Sequence, residues 1–120
     1  MADGLTVERI ERLGPGRALD AVVGEHLMGW IDESLDPAPP PAYSTNDELA
    51  DTVLARIQPL SPAEHHIEMH DARDGWHVLL IADNGEIDLQ VVTPRRNLTI
   101  CRFALLLRHR YPHVELPPPG

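Results

Sequence analysis

His65-His66-Ile67-Glu68-Met69-His70-Asp71, Asp74-Gly75, Trp76-His77-Val78-Leu79-Leu80-Ile81-Ala82, Asn84-Gly85 and Ile87-Asp88-Leu89-Gln90-Val91-Val92 form, in that order, the stretch that decides the fold. In the first run Ile67 and Met69 alternate with His66, Glu68 and His70, the period of two that gives a strand one apolar and one polar face. Asp-Gly and Asn-Gly supply the positive φ angles that tight hairpin turns require. Three strand-like runs separated by two such turns predict an antiparallel meander. The middle run is apolar nearly throughout, as expected of a central strand with cover on both faces.

A sheet this small needs helices against it, and the rest of the chain offers them. Downstream, Pro94 to Arg110 reads as a helix of about 25 Å at 1.5 Å per residue. Thr93 is its expected cap, and its apolar positions Leu98, Cys101, Ala104, Leu105 and Leu107 are expected to form a lid on the sheet. Upstream, residues 5–13 read as a short helix ended by Gly14-Pro15-Gly16. From Arg17 a second apolar stripe runs through Leu19, Val22, Val23, Leu27 and Trp30. Asp20 and Glu25 are expected to point away from it, and Gly29 to stop it. Asp36 to Ala42 is a proline-rich linker, stiff and extended. Thr45 and Glu48 then fit a capping box that opens a third helix with Leu49, Val53 and Ile57 inward and Pro59 and Pro62 closing it. The expected fold is therefore α+β, a three-stranded antiparallel meander sandwiched between helices in the order ααα-βββ-α. One domain is expected over residues 1–120, ordered from about 5 to 111, with a proline-rich tail at 112–120.

Composition narrows the chemistry. The 120 residues contain 19 acids, 10 arginines and no lysine, for a net charge of −9. The charge is uneven: residues 1–94 carry net −13 and residues 95–120 carry net +4. An acidic body of this kind repels nucleic acid over most of its surface. No run of apolar residues reaches the length of a membrane-spanning helix, and the first residues lack a signal-peptide pattern, so the expected location is cytoplasmic. A lone Cys101 in an apolar helix excludes internal disulfides and thiolate-rich zinc sites and reads as a buried small side chain.

Three groups of residues are candidates for chemistry. His66, Glu68 and His70 share one strand face at steps of about 7 Å, and His77 on the next strand completes a set of donors suited to a divalent transition metal. The plainer reading of the same residues is the polar face of an edge strand. Arg95, Arg96 and Arg102, with Arg108 and Arg110, make up the basic part of an acidic molecule. Arg95 and Arg96 stand at a helix start that favours anions, so a small anionic ligand or an acidic partner fits there; internal pairing is the alternative. Trp30 and Tyr43 flank the proline-rich linker as candidates to line a small cleft. Asp20, Glu25, Asp47 and Asp51 read as solvated helix faces rather than paired catalytic carboxylates. No phosphate-binding loop, nucleophile elbow or His-Glu-x-x-His motif is present, and no catalytic set is assigned.

Three pieces of the chain, taken in order, carry a resemblance. Leu19-Asp20-Ala21-Val22-Val23 leads to Met28-Gly29-Trp30, then comes Pro41-Ala42-Tyr43-Ser44-Thr45, and then Ile100-Cys101-Arg102 to Leu107. Together they resemble the phage α-β-α sandwich domain, over about residues 15–110. Asn46 departs from that family's pattern, which has Asp after Ser-Thr, and Pro94 to Thr99 replaces a shorter, less charged helix start. The resemblance implies a sandwich architecture and a phage or prophage protein of the host bacterial cytoplasm. It supplies no reaction, the family being of unestablished function.

The combined expectation is a non-enzymatic accessory binding module without a cofactor. It would act on a host or phage protein or on a small anionic host molecule, with no role on nucleic acid or in a membrane. The alternatives are a metal-dependent hydrolase-like domain built on the His65 to His77 region and a small structural phage protein that forms homo-oligomers.

Overall fold

The structure, a computed structural model, describes residues 6–29 and 41–116. The expectations for Trp30, for the linker up to residue 40 and for residues 117–120 lie outside the described residues. The elements are α1 (Val7–Arg12), α2 (Arg17–Val23), α3 (Asp47–Arg56), β1 (His65–Ala72), β2 (Gly75–Ala82), β3 (Ile87–Thr93) and α4 (Arg96–Arg110). This is the expected α+β order, with helices flanking a three-stranded antiparallel sheet of order β1-β2-β3.

The local signals act close to where the sequence puts them, with instructive shifts. Thr6 caps α1, its hydroxyl accepting from the Arg9 N–H at 3.1 Å. α2 widens over Gly24–Met28 into a π-helical turn, and Gly29 ends it at φ 74°, a left-handed stop that glycine adopts without strain. Asn46, not Thr45, caps α3: its side-chain oxygen accepts from the Leu49 N–H at 3.1 Å. α4 begins at Arg96 rather than Pro94. Thr93 still works at that junction, where its hydroxyl accepts from the Arg95 N–H at 3.0 Å.

The β1–β2 loop consists of Arg73 and Asp74, so Gly75 is the first residue of β2 and pairs with Ala72. Glycine is required there for a reason the turn motif does not express. Gly75 has φ 131°, and a Cβ on it would stand 2.5 Å from the Thr93 carbonyl oxygen, where β3 ends. Between β2 and β3 the register slips once: Leu80 pairs with Leu89 and Ile81 with Ile87, leaving Asp88 in a bulge.

The inner face of the sheet carries Val78 and Leu80, both fully buried, with Ile67, Met69, Leu89 and Val91 packed around them. α4 lies on this face and contacts β2 and β3. Its other side meets α1, α2, the π turn and α3. The buried apolar positions Leu98, Ile100, Cys101, Phe103, Ala104, Leu105 and Leu107 cover an arc of roughly 220° at 100° per residue, far wider than the stripe of a one-sided helix. The segment expected to be a lid on the sheet is instead the central rod of the molecule. On the outer sheet face Leu79 is only 6% exposed; it is flanked in register by Glu68 and Gln90.

Candidate functional site

A trough runs along the side of the molecule where α1, α4 and β3 meet. At one end it has a volume of about 440 Å³ and is bounded by Val7 of α1, Leu89 of β3, and His109 and Arg110 of α4. It continues into a second hollow of about 220 Å³ bounded by Val91, Val92 and Arg102. Glu11, Gln90 and Leu106 line both. Leu106 is the one half-buried leucine of α4's apolar run, because it faces this gap rather than the core. Arg110 fixes the far end by donating from Nη1 to the Asp88 carbonyl oxygen at 2.8 Å, tying α4 to the β3 bulge. Of the ten lining residues only Arg102 and Arg110 belonged to a sequence-level candidate; the other eight belonged to none. Three elements distant in sequence supply them, and the only local sign was Leu106 lying off the main apolar stripe of α4.

The histidine group lies on the outer sheet face, as its alternation predicted. Glu68 sits between two imidazoles, with His66 Nε2 at 2.5 Å and His70 Nε2 at 2.7 Å. These hydrogen bonds, first from His66 and then from His70, hold the Glu68 carboxyl below its ordinary pKa. His77 stands opposite His70 in the register but takes different partners. Its Nδ1 accepts from the Gln90 amide at 3.0 Å and its Nε2 donates to Asp74 at 2.7 Å, which lowers the Asp74 pKa. Among the described residues, no group of three or more His, Cys, Asp or Glu side chains is arranged to hold a metal ion. As placed, these donors satisfy one another. His65 belongs to the inner face: it contacts Asp88 across the sheet at 2.5 Å and the Ala63 carbonyl at 2.9 Å. Both contacts, the carbonyl foremost, raise its pKa.

The arginines do not converge. Arg102 donates from Nε and Nη2 to the Leu13 carbonyl at 3.1 and 2.9 Å and so holds the end of α1 to α4. Arg96 pairs with Asp51 of α3 and stands 5.9 Å from the Trp76 ring centroid, a cation–π distance. Arg108 donates to the Val114 carbonyl at 2.5 Å. Arg95 is exposed. Arg96 and Arg102 thus serve the fold, and the anion site expected of the group is not assembled around them.

Tyr43 is core rather than cleft. It is buried with Asp20, Ser44 and Cys101 in one region. Ser44 donates to Asp20 Oδ1 through its hydroxyl at 2.6 Å and its backbone N–H at 2.7 Å, and the Gly16 N–H donates to the same hydroxyl at 2.8 Å. Asp20, expected to be solvated, is 5% exposed. Burial, and then the Asp20 charge, push the Cys101 thiol up to about 12. The same two causes, in the same order, and then Cys101 raise the Tyr43 hydroxyl. A thiol held neutral in this way is no nucleophile at physiological pH. Asp20, the Tyr43–Ser44 pair and Cys101, one from each of the three pieces that carried the resemblance, therefore meet in space as a structural joint.

Fold and site together define a small α+β domain with a lateral trough. In fold it is similar to a phage protein from Bacillus cereus ATCC 14579 whose crystal structure is known. The TM-score is 0.59 and the identity 18%, and the match covers 81% of this chain and 89% of that one. At that identity the likeness is one of fold. No family model matches the chain, and no curated protein does. No helix among the described residues is long and apolar enough to cross a membrane.

Proposed function

We propose that this chain is a non-enzymatic accessory binding module of phage or prophage origin, of the α-β-α sandwich kind, that docks part of a host or phage protein in the trough between α1, α4 and β3. The observation that carries this reading is the trough itself: an apolar floor of Leu89 and Leu106 between polar walls, of a volume typical of recognition sites. The fold likeness to a phage protein supports the origin. The pairing of Arg96 with Asp51 and of Arg102 with the Leu13 carbonyl, and the mutually bonded histidines, favour this surface over an anion site or a metal centre.

The test is affinity isolation from infected host cells with three baits: wild type, Leu106→Gln and His66→Ala. A partner retained by wild type and His66→Ala but lost with Leu106→Gln supports the reading, provided the Leu106→Gln protein melts within a few degrees of wild type. A partner retained by Leu106→Gln and lost with His66→Ala moves the function to the outer sheet face and overturns it.

A further inference from the structure

We propose that the trough takes its partner by strand addition: an extended peptide segment pairs with the outer edge of β3 and becomes a fourth strand. Alternate apolar side chains of the segment enter the trough, and a carboxylate at its end meets His109 and Arg110. This inference rests on the trough being the docking surface and names the chemistry of what docks there.

Among the described residues both terminal strands of the sheet, β1 and β3, have one edge without a strand partner, and the two are treated differently. β1 bears the Glu68 carboxylate bonded to the His66 and His70 imidazoles, polar side chains that guard an edge against pairing. β3 carries Ile87, 52% exposed, and Val92, 40% exposed. Among the described residues one further large apolar side chain is exposed, and it is Val7 at 40%, on the trough wall facing β3. Exposed apolar surface gathered around one unpaired edge marks an interaction site.

The dimensions suit a short extended segment. From Arg102 to Arg110 α4 runs about 12 Å at 1.5 Å per residue, and an extended chain at about 3.3 Å per residue covers that with four residues. Main-chain hydrogen bonds to β3 give such a segment its affinity, and every second side chain lies over Leu89, Val91 and Leu106. The charges set its polarity. Arg110 closes one end with positive charge beside the His109 imidazole, and Arg110, already anchored on the Asp88 carbonyl oxygen, keeps further N–H donors for a carboxylate. A second copy of this chain is a poor occupant, since each carries net −9 and the two repel.

The experiment is an NMR titration of the full chain with two probes at millimolar concentration, acetyl-Thr-Val-Thr-Val-Asp with a free carboxyl end and its Asn-amide counterpart. The expected result is shifts over Ile87 to Thr93 and at Leu106, with slowed hydrogen exchange of β3 amides. The acidic probe should bind at least threefold more tightly than the amide, a preference that Arg110→Gln abolishes. Shifts of Val7 and Leu106 methyls without slowed exchange on β3 overturn strand addition and leave the trough standing as the docking surface. Absence of shifts with both probes overturns strand addition, and the trough reading then stands or falls on the Leu106→Gln isolation. Equal binding of both probes removes the carboxylate from the proposal. Self-association that protects β3 amides without peptide puts a second copy on the edge and overturns it as well.

Discussion

Ser44 gives Asp20 two hydrogen bonds to the same carboxylate oxygen, one from its hydroxyl at 2.6 Å and one from its backbone N–H at 2.7 Å. Both residues are buried, and the pair joins the start of α2 to the turn before α3 across 24 residues of chain. Because the same hydroxyl accepts from the Gly16 N–H, removing it takes one of the two Ser44 hydrogen bonds from a buried carboxylate, leaving the backbone N–H bond, and leaves the Gly16 donor without its acceptor. Ser44→Ala is expected to destabilise the fold by about 3 kcal/mol, read as a lower urea midpoint at unchanged slope.

Cys101 shares this region, and its thiol, raised to about 12 by burial and by Asp20, should be inert in the native state. At pH 8 an excess of Ellman's reagent should release almost no colour until denaturant is added, after which one thiol per chain reacts. Rapid reaction of the folded protein would show an accessible thiolate.

Gly75 and Gly85 both have positive φ, but only Gly75 is crowded. Gly85→Ala faces open space and carries just the left-handed backbone penalty, about 1 kcal/mol. Gly75→Ala also drives a Cβ into the Thr93 carbonyl and is expected to cost more, about 2–4 kcal/mol. Thermal melts of the two variants would rank them, and equal losses would contradict the close approach of β2 to the end of β3.

The α3 cap separates the sequence pattern from the observed geometry. Asn46→Ala should cost about 1 kcal/mol, because Asn46 holds the Leu49 N–H. Thr45→Ala, at an exposed position, should change stability by less than about 0.5 kcal/mol. The reverse order in denaturation would restore the Thr45–Glu48 capping box.

His65 and Glu68 impose opposite pH dependences. The His65 pKa is raised, so its stabilising effect is complete below the ordinary value of 6.5 and is lost as pH rises through the raised value. The advantage of wild type over His65→Gln should therefore shrink from neutral to alkaline pH. The Glu68 pKa is lowered, so its effect is complete above the ordinary value of 4.5 and is lost as pH falls through the lowered value. The advantage over Glu68→Gln should shrink only under acid. Urea titrations from pH 3 to pH 9 would trace both.

The meander was the most legible part of the chain. Its alternation and its two turn dipeptides involve residues within a few positions of one another, and the strands begin and end within about one residue of where those signals put them. The shifts that did occur have a tertiary cause. Thr45 and Asn46 both qualify as caps by type, and only the chain path from the buried Tyr43–Ser44 pair selects Asn46. Asp20 looked solvated because helix periodicity turns it away from the apolar stripe, whereas its partner Ser44 lies 24 positions away. The histidine face was legible by period two, but the sharing of Glu68 between His66 and His70 depends on side-chain rotamers. The trough was illegible because α1, β3 and α4 each contribute only a few residues to it.

By itself, then, the sequence determined the element order, the pairing of the meander and the absence of a recognisable catalytic motif, all of which rest on local period, turn chemistry and composition. Only the tertiary structure decided that α4 is the central rod rather than a lid, that Arg96 and Arg102 are committed to Asp51 and the Leu13 carbonyl, and that an open trough remains beside β3. Those outcomes depend on which surfaces meet across long stretches of chain. Burial and hydrogen-bond satisfaction are settled over the whole molecule at once, and no local window of sequence contains that information.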